Sequence, residues 1–204
     1  LMSNFAYQMI PATKNKVIGK VFSLYHNGLL KKHFFRVHLR GGENFSKINP
    51  ALPSILYANH SNWWDGFIAY FLTSKHWCVN DYLMMDIEQL KKYSFFKYVG
   101  VFSVDRQRPR EAIESIDYAA GLLKDPGNFM WIFPEGEMYP QDKRPLVFYS
   151  GITRLAQKTG RVNLLPVAFR YEFITEQRPE VFISLGTPDI IDEGLPGIKD
   201  YTEY

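Results

Sequence analysis

Ser54-Ile55-Leu56-Tyr57-Ala58-Asn59-His60-Ser61-Asn62-Trp63-Trp64-Asp65-Gly66 is the stretch that decides the fold. Its first five residues form a short apolar run, the pattern of a strand buried on both faces. Small polar residues follow at once, and Asp65-Gly66 opens a segment with helical spacing over 65–74. A buried strand that passes directly into a helix is the building unit of an α/β sheet. In such sheets, sites form outside the carboxyl ends of the strands.

Working outward, the same punctuation recurs. Residues 35–40 alternate Phe35, Val37 and Leu39 with Arg36, His38 and Arg40, the period of a half-buried strand, and Gly41-Gly42 ends it. Further strands are expected at 101–104, 128–133, 164–169 and 181–185. Helices are expected at 110–123, stopped by Asp125-Pro126-Gly127, and at 147–158, stopped by Gly160. Strands alternating with helices predict a central, mostly parallel sheet flanked by helices.

The chain of 204 residues is 46% hydrophobic and 22% charged, which suits one globular body with a core. Its net charge of +3 hides an asymmetry. Residues 1–42 hold seven basic side chains and no acid, whereas the remainder holds 17 basic and 21 acidic ones. Between Lys14 and Lys32 the residues Val17, Ile18, Val21, Phe22, Tyr25, Leu29 and Leu30 fall at helical spacing, opposite Lys14, Lys16, Lys20 and Lys31. Residues 1–42 therefore read as a basic amphipathic arm, its helix either an ordinary surface helix packed on the body or an N-terminal element docking on an anionic membrane, and 43–204 as the α/β body. Charge alone suits nucleic acid equally well. No apolar run approaches the roughly 18 residues needed to cross a bilayer. Cys78 is the single cysteine, so no internal disulfide forms, and it reads as a buried structural thiol. No group of His, Cys, Asp and Glu has metal-ligand spacing, so no metal is expected.

The chemistry points to His60 and Asp65. A neutral imidazole held at a strand exit accepts a proton from an alcohol, and a carboxylate on its other nitrogen fixes the tautomer and stabilises the imidazolium. The spacing His-x4-Asp is weak by itself, because the chain carries a second copy, His76 to Asp81. The His60 copy follows a strand directly, whereas the His76 copy includes part of a strand that would hold its ends apart. Two plainer roles stand beside the chemical one: Asp65 as a helix N-cap and His60 as a hydrogen-bonded turn residue. Phe133-Pro134-Glu135-Gly136 places an acid and a glycine at another strand exit. Gly100 to Arg106 leads a strand into a basic loop continued by Arg108 and Arg110.

Taken in order, Asn59-His60-x4-Asp65, Gly100 to Arg106, Phe133-Pro134-Glu135-Gly136 and Leu165-Pro166-Val167-Ala168 resemble the four motif blocks of the glycerolipid (lysophospholipid) acyltransferases, among them the 1-acylglycerol-3-phosphate acyltransferases. The resemblance implies that 43–204 is an acyltransferase domain with His60 as general base and Asp65 as its partner. It implies that Arg106, Glu135 and Gly136 bind the acceptor and that Trp63, Trp64 and Pro166 shape the acyl cleft. It implies an acyl-CoA or acyl-acyl carrier protein donor as co-substrate, no bound cofactor, membrane lipid and acyl carrier protein rather than nucleic acid as partners, and a peripheral position on the cytoplasmic face of a membrane. Phosphate-handling members continue the third block with Thr-Arg-Ser. Here Glu137-Met138-Tyr139 follow, which implies an acceptor less anionic than lysophosphatidic acid. Two other functions compete: a lipid or thioester hydrolase using the same base on water, and a non-catalytic module that binds membrane or nucleic acid through the basic arm.

Overall fold

The computed structural model describes residues 9–192. Residues 1–8 of the basic arm and 193–204 at the end of the body lie outside the described residues.

The described chain runs α1 (Lys16–His33), β1 (Arg36–Arg40), β2 (Ser54–Ala58), α2 (Asp65–Tyr70), β3 (Asn80–Asp86), α3 (Ile87–Lys92), β4 (Val101–Val104), α4 (Pro109–Leu122), β5 (Asn128–Ile132), α5 (Gly151–Thr159), β6 (Val162–Glu172), β7 (Glu180–Leu185) and β8 (Asp189–Ile191). The strands form one sheet in the order β1-β7-β6-β2-β5-β3-β4, with β8 also paired to β6. The five strands from β6 to β4 in that order are mutually parallel, and β7 and β8 run antiparallel to β6. β1, taken from the basic arm, pairs in parallel with β7, so the sheet includes residues on both sides of position 42. The central strands are the apolar runs read from the sequence: Ile55, Leu56, Met130, Trp131 and Leu165 are all inaccessible to solvent.

Two apolar layers cover the sheet. On one face α1, α2 and the turn after α2 bring Phe22, Leu30, Phe67, Ile68 and Leu72 against Leu56, Trp131 and Leu165. On the other, α4 and α5 bring Ile116, Ala119, Leu155 and Ala156 against Ile55, Met130 and Ile132. The chain leaves β2 onto the first face and reaches β3. It leaves β5 onto the second face and reaches β6. Because β2 and β5 are neighbours, their departing loops diverge and open a crevice above their carboxyl ends.

The structure departs from the sequence reading in several places. α3 and β8 were not predicted, and β3 only as part of a strand running through the His76 spacing. The inward positions of β3 begin with a charged residue, Asp81, which breaks the apolar alternation. α5 starts at Gly151 rather than at 147, because the Tyr149 amide donates to the Pro134 carbonyl (2.8 Å) and ties that stretch to the β5 exit. Cys78 is exposed rather than buried. It terminates a π-helical turn over Phe71–Trp77 with a left-handed φ of 57°.

α1 differs most in how it is oriented. Its buried line is Phe22, His26 and Leu30, whereas Val17, Val21, Leu24 and Tyr25 face outward. His26 is fully buried: its Nε2 lies 2.8 Å from the Phe67 carbonyl, and Nδ1 has no hydrogen-bond partner among the described residues. Burial lowers its pKa, opposed by the bond to Phe67 and reinforced by the charge of Lys75. The unfolded chain therefore takes up this proton first. The stability held by neutral His26 is complete above the unfolded value near 6.5 and declines as pH falls below it. The expected outcome is a lower urea midpoint at about pH 5.5 than at about pH 7.5, with a smaller difference between the two in His26→Leu.

Candidate active site

The crevice is built from the backbone of its two strand exits. β2 stops at Ala58, and the Asn59 side chain takes over its pairing with β6: Nδ2 donates to the Phe169 carbonyl (3.0 Å) and Oδ1 accepts from the Phe169 amide (2.8 Å). This clamp ends the ladder one residue before His60 and turns that residue out of the sheet. The His60 amide donates to Glu135 Oε2 (2.6 Å), and its carbonyl accepts from the Tyr139 amide (2.9 Å). The loop after β2 is thereby locked to the loop after β5.

Asp65 organises what lies between. It opens α2 and is 0% exposed. One oxygen, Oδ2, accepts from His60 Nδ1 (2.8 Å) and from the amides of Ser61 (2.8 Å) and Asn62 (2.9 Å). The other, Oδ1, accepts from the Tyr171 hydroxyl (2.6 Å) on β6. The carboxylate reaches backward over the turn that precedes it, so it is not the N-cap of its own helix. That turn has wound the two ends of the His-x4-Asp spacing together. Burial, then the adjacent Asp65 charge, hold the Tyr171 phenol well above its usual pKa, so it remains a donor.

The orientation of the imidazole follows from these contacts. With Nδ1–H donated to Asp65, Nε2 carries the free lone pair, and it has no hydrogen bond among the described residues. The ring stacks on Phe133 with centroids 4.5 Å apart, and the side chain retains 23% exposure to the crevice. The second copy of the spacing is arranged otherwise. The Asp81 carboxylate is bound by Thr73 (2.6 Å) and Ser74 (2.8 Å), whereas His76 lies in the π-helical turn beside Phe71 and Trp77.

A groove of about 1280 Å³ passes through the crevice. One arm is walled by Phe67, Leu83 and Phe96 on the first face of the sheet, and the other by Ile116, Ile132 and Ile152 on the second. His60, Trp63, Arg106 and Gly136 line it where the arms meet the sheet edge. Arg106 lies against Gly136: a Cβ added to that glycine would stand 2.7 Å from Nη1, and its φ of 69° already favours glycine. Arg106 also faces Glu137, 3.8 Å away.

Three residues assigned to substrate by the sequence reading sit elsewhere. Glu135 is buried beneath the site, and its Oε2 holds the His60 amide, so it positions the His60 backbone rather than presenting a carboxylate to the groove. Trp64 packs between His33, Phe34 and Phe67 where α1 meets α2. Pro166 is a strand residue of β6, paired with Tyr57 and packed against Gly186. Tyr171 and Asn59 were not singled out for the site. Each acts over more than 100 residues of chain, a distance that no local pattern encodes.

Residues 36–170, about two thirds of the chain, match the family described as Acyltransferase. A stretch of 74 residues is 31% identical to the 1-acyl-sn-glycerol-3-phosphate acyltransferase of Saccharomyces cerevisiae, covering 36% of this chain and 24% of that protein. The fold is similar to the crystal structure of the 1-acyl-sn-glycerophosphate (LPA) acyltransferase PlsC from Thermotoga maritima, with a TM-score of 0.59 and 21% identity over 93% of this chain and 74% of that one. This chain belongs to the acyltransferase family.

Proposed function

We propose that the protein transfers an acyl group from a thioester donor to the hydroxyl of a lipid acceptor at a membrane surface, with His60 as the general base. The observation that carries this reading is the His60–Asp65 pair at 2.8 Å, with Nε2 open to a groove of apolar walls long enough to run over both faces of the sheet. In the transfer, Nε2 accepts the acceptor's hydroxyl proton as that oxygen bonds to the thioester carbonyl carbon. The tetrahedral adduct then collapses with cleavage of the carbon–sulfur bond, and the imidazolium returns the proton to the departing thiolate. Asp65 keeps its hydrogen bond to Nδ1 and stabilises the imidazolium. Acyl-CoA and acyl-acyl carrier protein both supply such a thioester, and the groove-lining Arg106 suits the phosphate of a donor or an acceptor.

The membrane part of the reading rests on α1. Val17, Val21 and Leu24 are exposed on its outer side, beside Lys16 and Lys20. This is the composition of a helix lying in an anionic interface, with about 1 kcal/mol of attraction per basic residue near the surface. Among the described residues no helix is long and apolar enough to cross a membrane.

Two acceptors are favoured by different observations. The yeast relative is named for 1-acyl-sn-glycerol-3-phosphate, which makes a lysophosphatidic acid the first candidate. Glu137, 3.8 Å from Arg106, favours a less anionic hydroxylated lipid, because the acid offsets the cation that a phosphate monoester would meet. On this second reading, turnover of monoacylglycerol exceeds that of lysophosphatidic acid in the wild type, and Glu137→Thr raises lysophosphatidic acid turnover relative to monoacylglycerol. An unchanged ratio leaves lysophosphatidic acid as the acceptor.

Two variants test the base. His60→Ala should lower acyl transfer by about 10²–10⁴-fold without changing the urea midpoint greatly. Mass spectrometry of the products distinguishes an acylated lipid from the free fatty acid that a hydrolase would release. Tyr171→Phe keeps the ring against Phe34 but removes the donor to Asp65 Oδ1. It should lower kcat by about tenfold with KM little changed, because a freed carboxylate holds the imidazole less firmly. An equal loss in kcat and in thermal stability would indicate a purely structural role.

A further inference from the structure

The connection between β6 and β7 spans residues 173–179 and stands at the same sheet edge as His60. Along β6, Phe169 is buried in the core, and Tyr171 is packed against Phe34 and bound to Asp65. Phe173 is next in that row, about 7 Å further along the chain direction, and there the covering side chains end. Phe173 is 72% exposed and its neighbour Ile174 is 59% exposed. Two adjacent bulky apolar side chains occupy a turn where polar residues would be hydrated at no cost.

The tip is held firmly. The Phe35 amide donates to the Pro179 carbonyl (2.9 Å), and Arg178 Nη1 donates to the Lys31 carbonyl (2.5 Å), capping the last turn of α1. The guanidinium groups of Arg36 and Arg178 lie 5.3 and 5.8 Å from the Phe35 ring. With Lys31 and Lys32 in that last turn of α1, four basic residues stand near the base of the tip, against Glu176 within it; Glu172 is bound by Arg170 and Glu180 by His38.

We propose that this hairpin tip is a second membrane contact, with Phe173 and Ile174 entering the interface of a bilayer and Lys31, Lys32, Arg36 and Arg178 meeting its anionic headgroups. The proposal rests on the membrane-surface reading given above and adds a contact independent of the outer stripe of α1. The bridge from Arg178 to Lys31 couples the two contacts, so the bilayer meets the protein at the edge where the groove opens.

The test uses the full chain with Cys78→Ser, labelled with an environment-sensitive fluorophore at Ile174→Cys or, as a control, at Ile190→Cys. Ile190 is exposed on β8, which pairs with the opposite end of β6. Vesicles are phosphatidylcholine with or without about 30% phosphatidylglycerol. The expected result is a blue-shifted, brighter signal from position 174 on the anionic vesicles, no change at 190, and at least a tenfold weaker vesicle partition in Phe173→Ser/Ile174→Ser. That double variant should retain wild-type turnover of a short-chain acceptor below its micelle concentration. Flotation of the protein with vesicles while the label at 174 stays unchanged would overturn the proposal and leave α1 as the contact. Brightening at 174 that depends on protein concentration and not on vesicles would overturn it in favour of a second copy of the chain. Failure of the wild type to bind vesicles at all would overturn the membrane reading itself, and acyl transfer to the soluble acceptor would then stand or fall separately.

Discussion

The site depends on one buried charge. Asp65 has no contact with solvent and accepts hydrogen bonds from four donors: a ring nitrogen, two backbone amides and a phenol. A carboxylate in that position without partners would be strongly unfavourable, and with them it becomes the fixed point of the turn. The amides of Ser61 and Asn62 set the course of the loop, and the imidazole of His60 can then occupy few positions. Glu135 performs the matching task from below by holding the His60 backbone, so imidazole and main chain are each anchored by a different buried acid.

These two anchors require the strand order. β2 and β5 are neighbours whose chains depart to opposite faces, which leaves an opening above both and brings residues 60 and 135 within a hydrogen bond of each other. β6 flanks β2 on its other side, and through Asn59 and Tyr171 it fixes where β2 ends and how Asp65 is held. Three strands far apart in sequence thus build one turn of five residues.

Much of this was legible in the chain, and the reasons differ by element. The buried central strands show as apolar runs because both their faces are covered, and the long helix α4 shows through its period. His60 and Asp65 were readable because they are close in sequence and sit at a strand exit. β3 was readable only in part, because it carries Asp81 at an inward position and fills its core with Leu83 and Met85 rather than a β-branched run. The burial of Glu135, the withdrawal of Trp64 and Pro166 from the groove, and the part played by Tyr171 were unreadable for a common reason. Each is fixed by which distant strand or helix lies alongside, and residue type alone cannot separate an acid that faces a ligand from one that braces a backbone. In α1 the apolar spacing gave the helix but not its rotation. The inward line runs through a histidine, and several aliphatic side chains point away from the body.

The two arms of the groove have a kinetic meaning. They approach the same imidazole from opposite sides of the sheet, so a chain lying in one does not obstruct a chain lying in the other. The Ser61 hydroxyl beside the pair is buried, and Cys78 is exposed beyond the π-helical turn. On the function proposed above, a groove with room on both faces suits a ternary complex, with both reactants aboard before any bond changes, rather than the shuttling of a covalently held group between successive visitors.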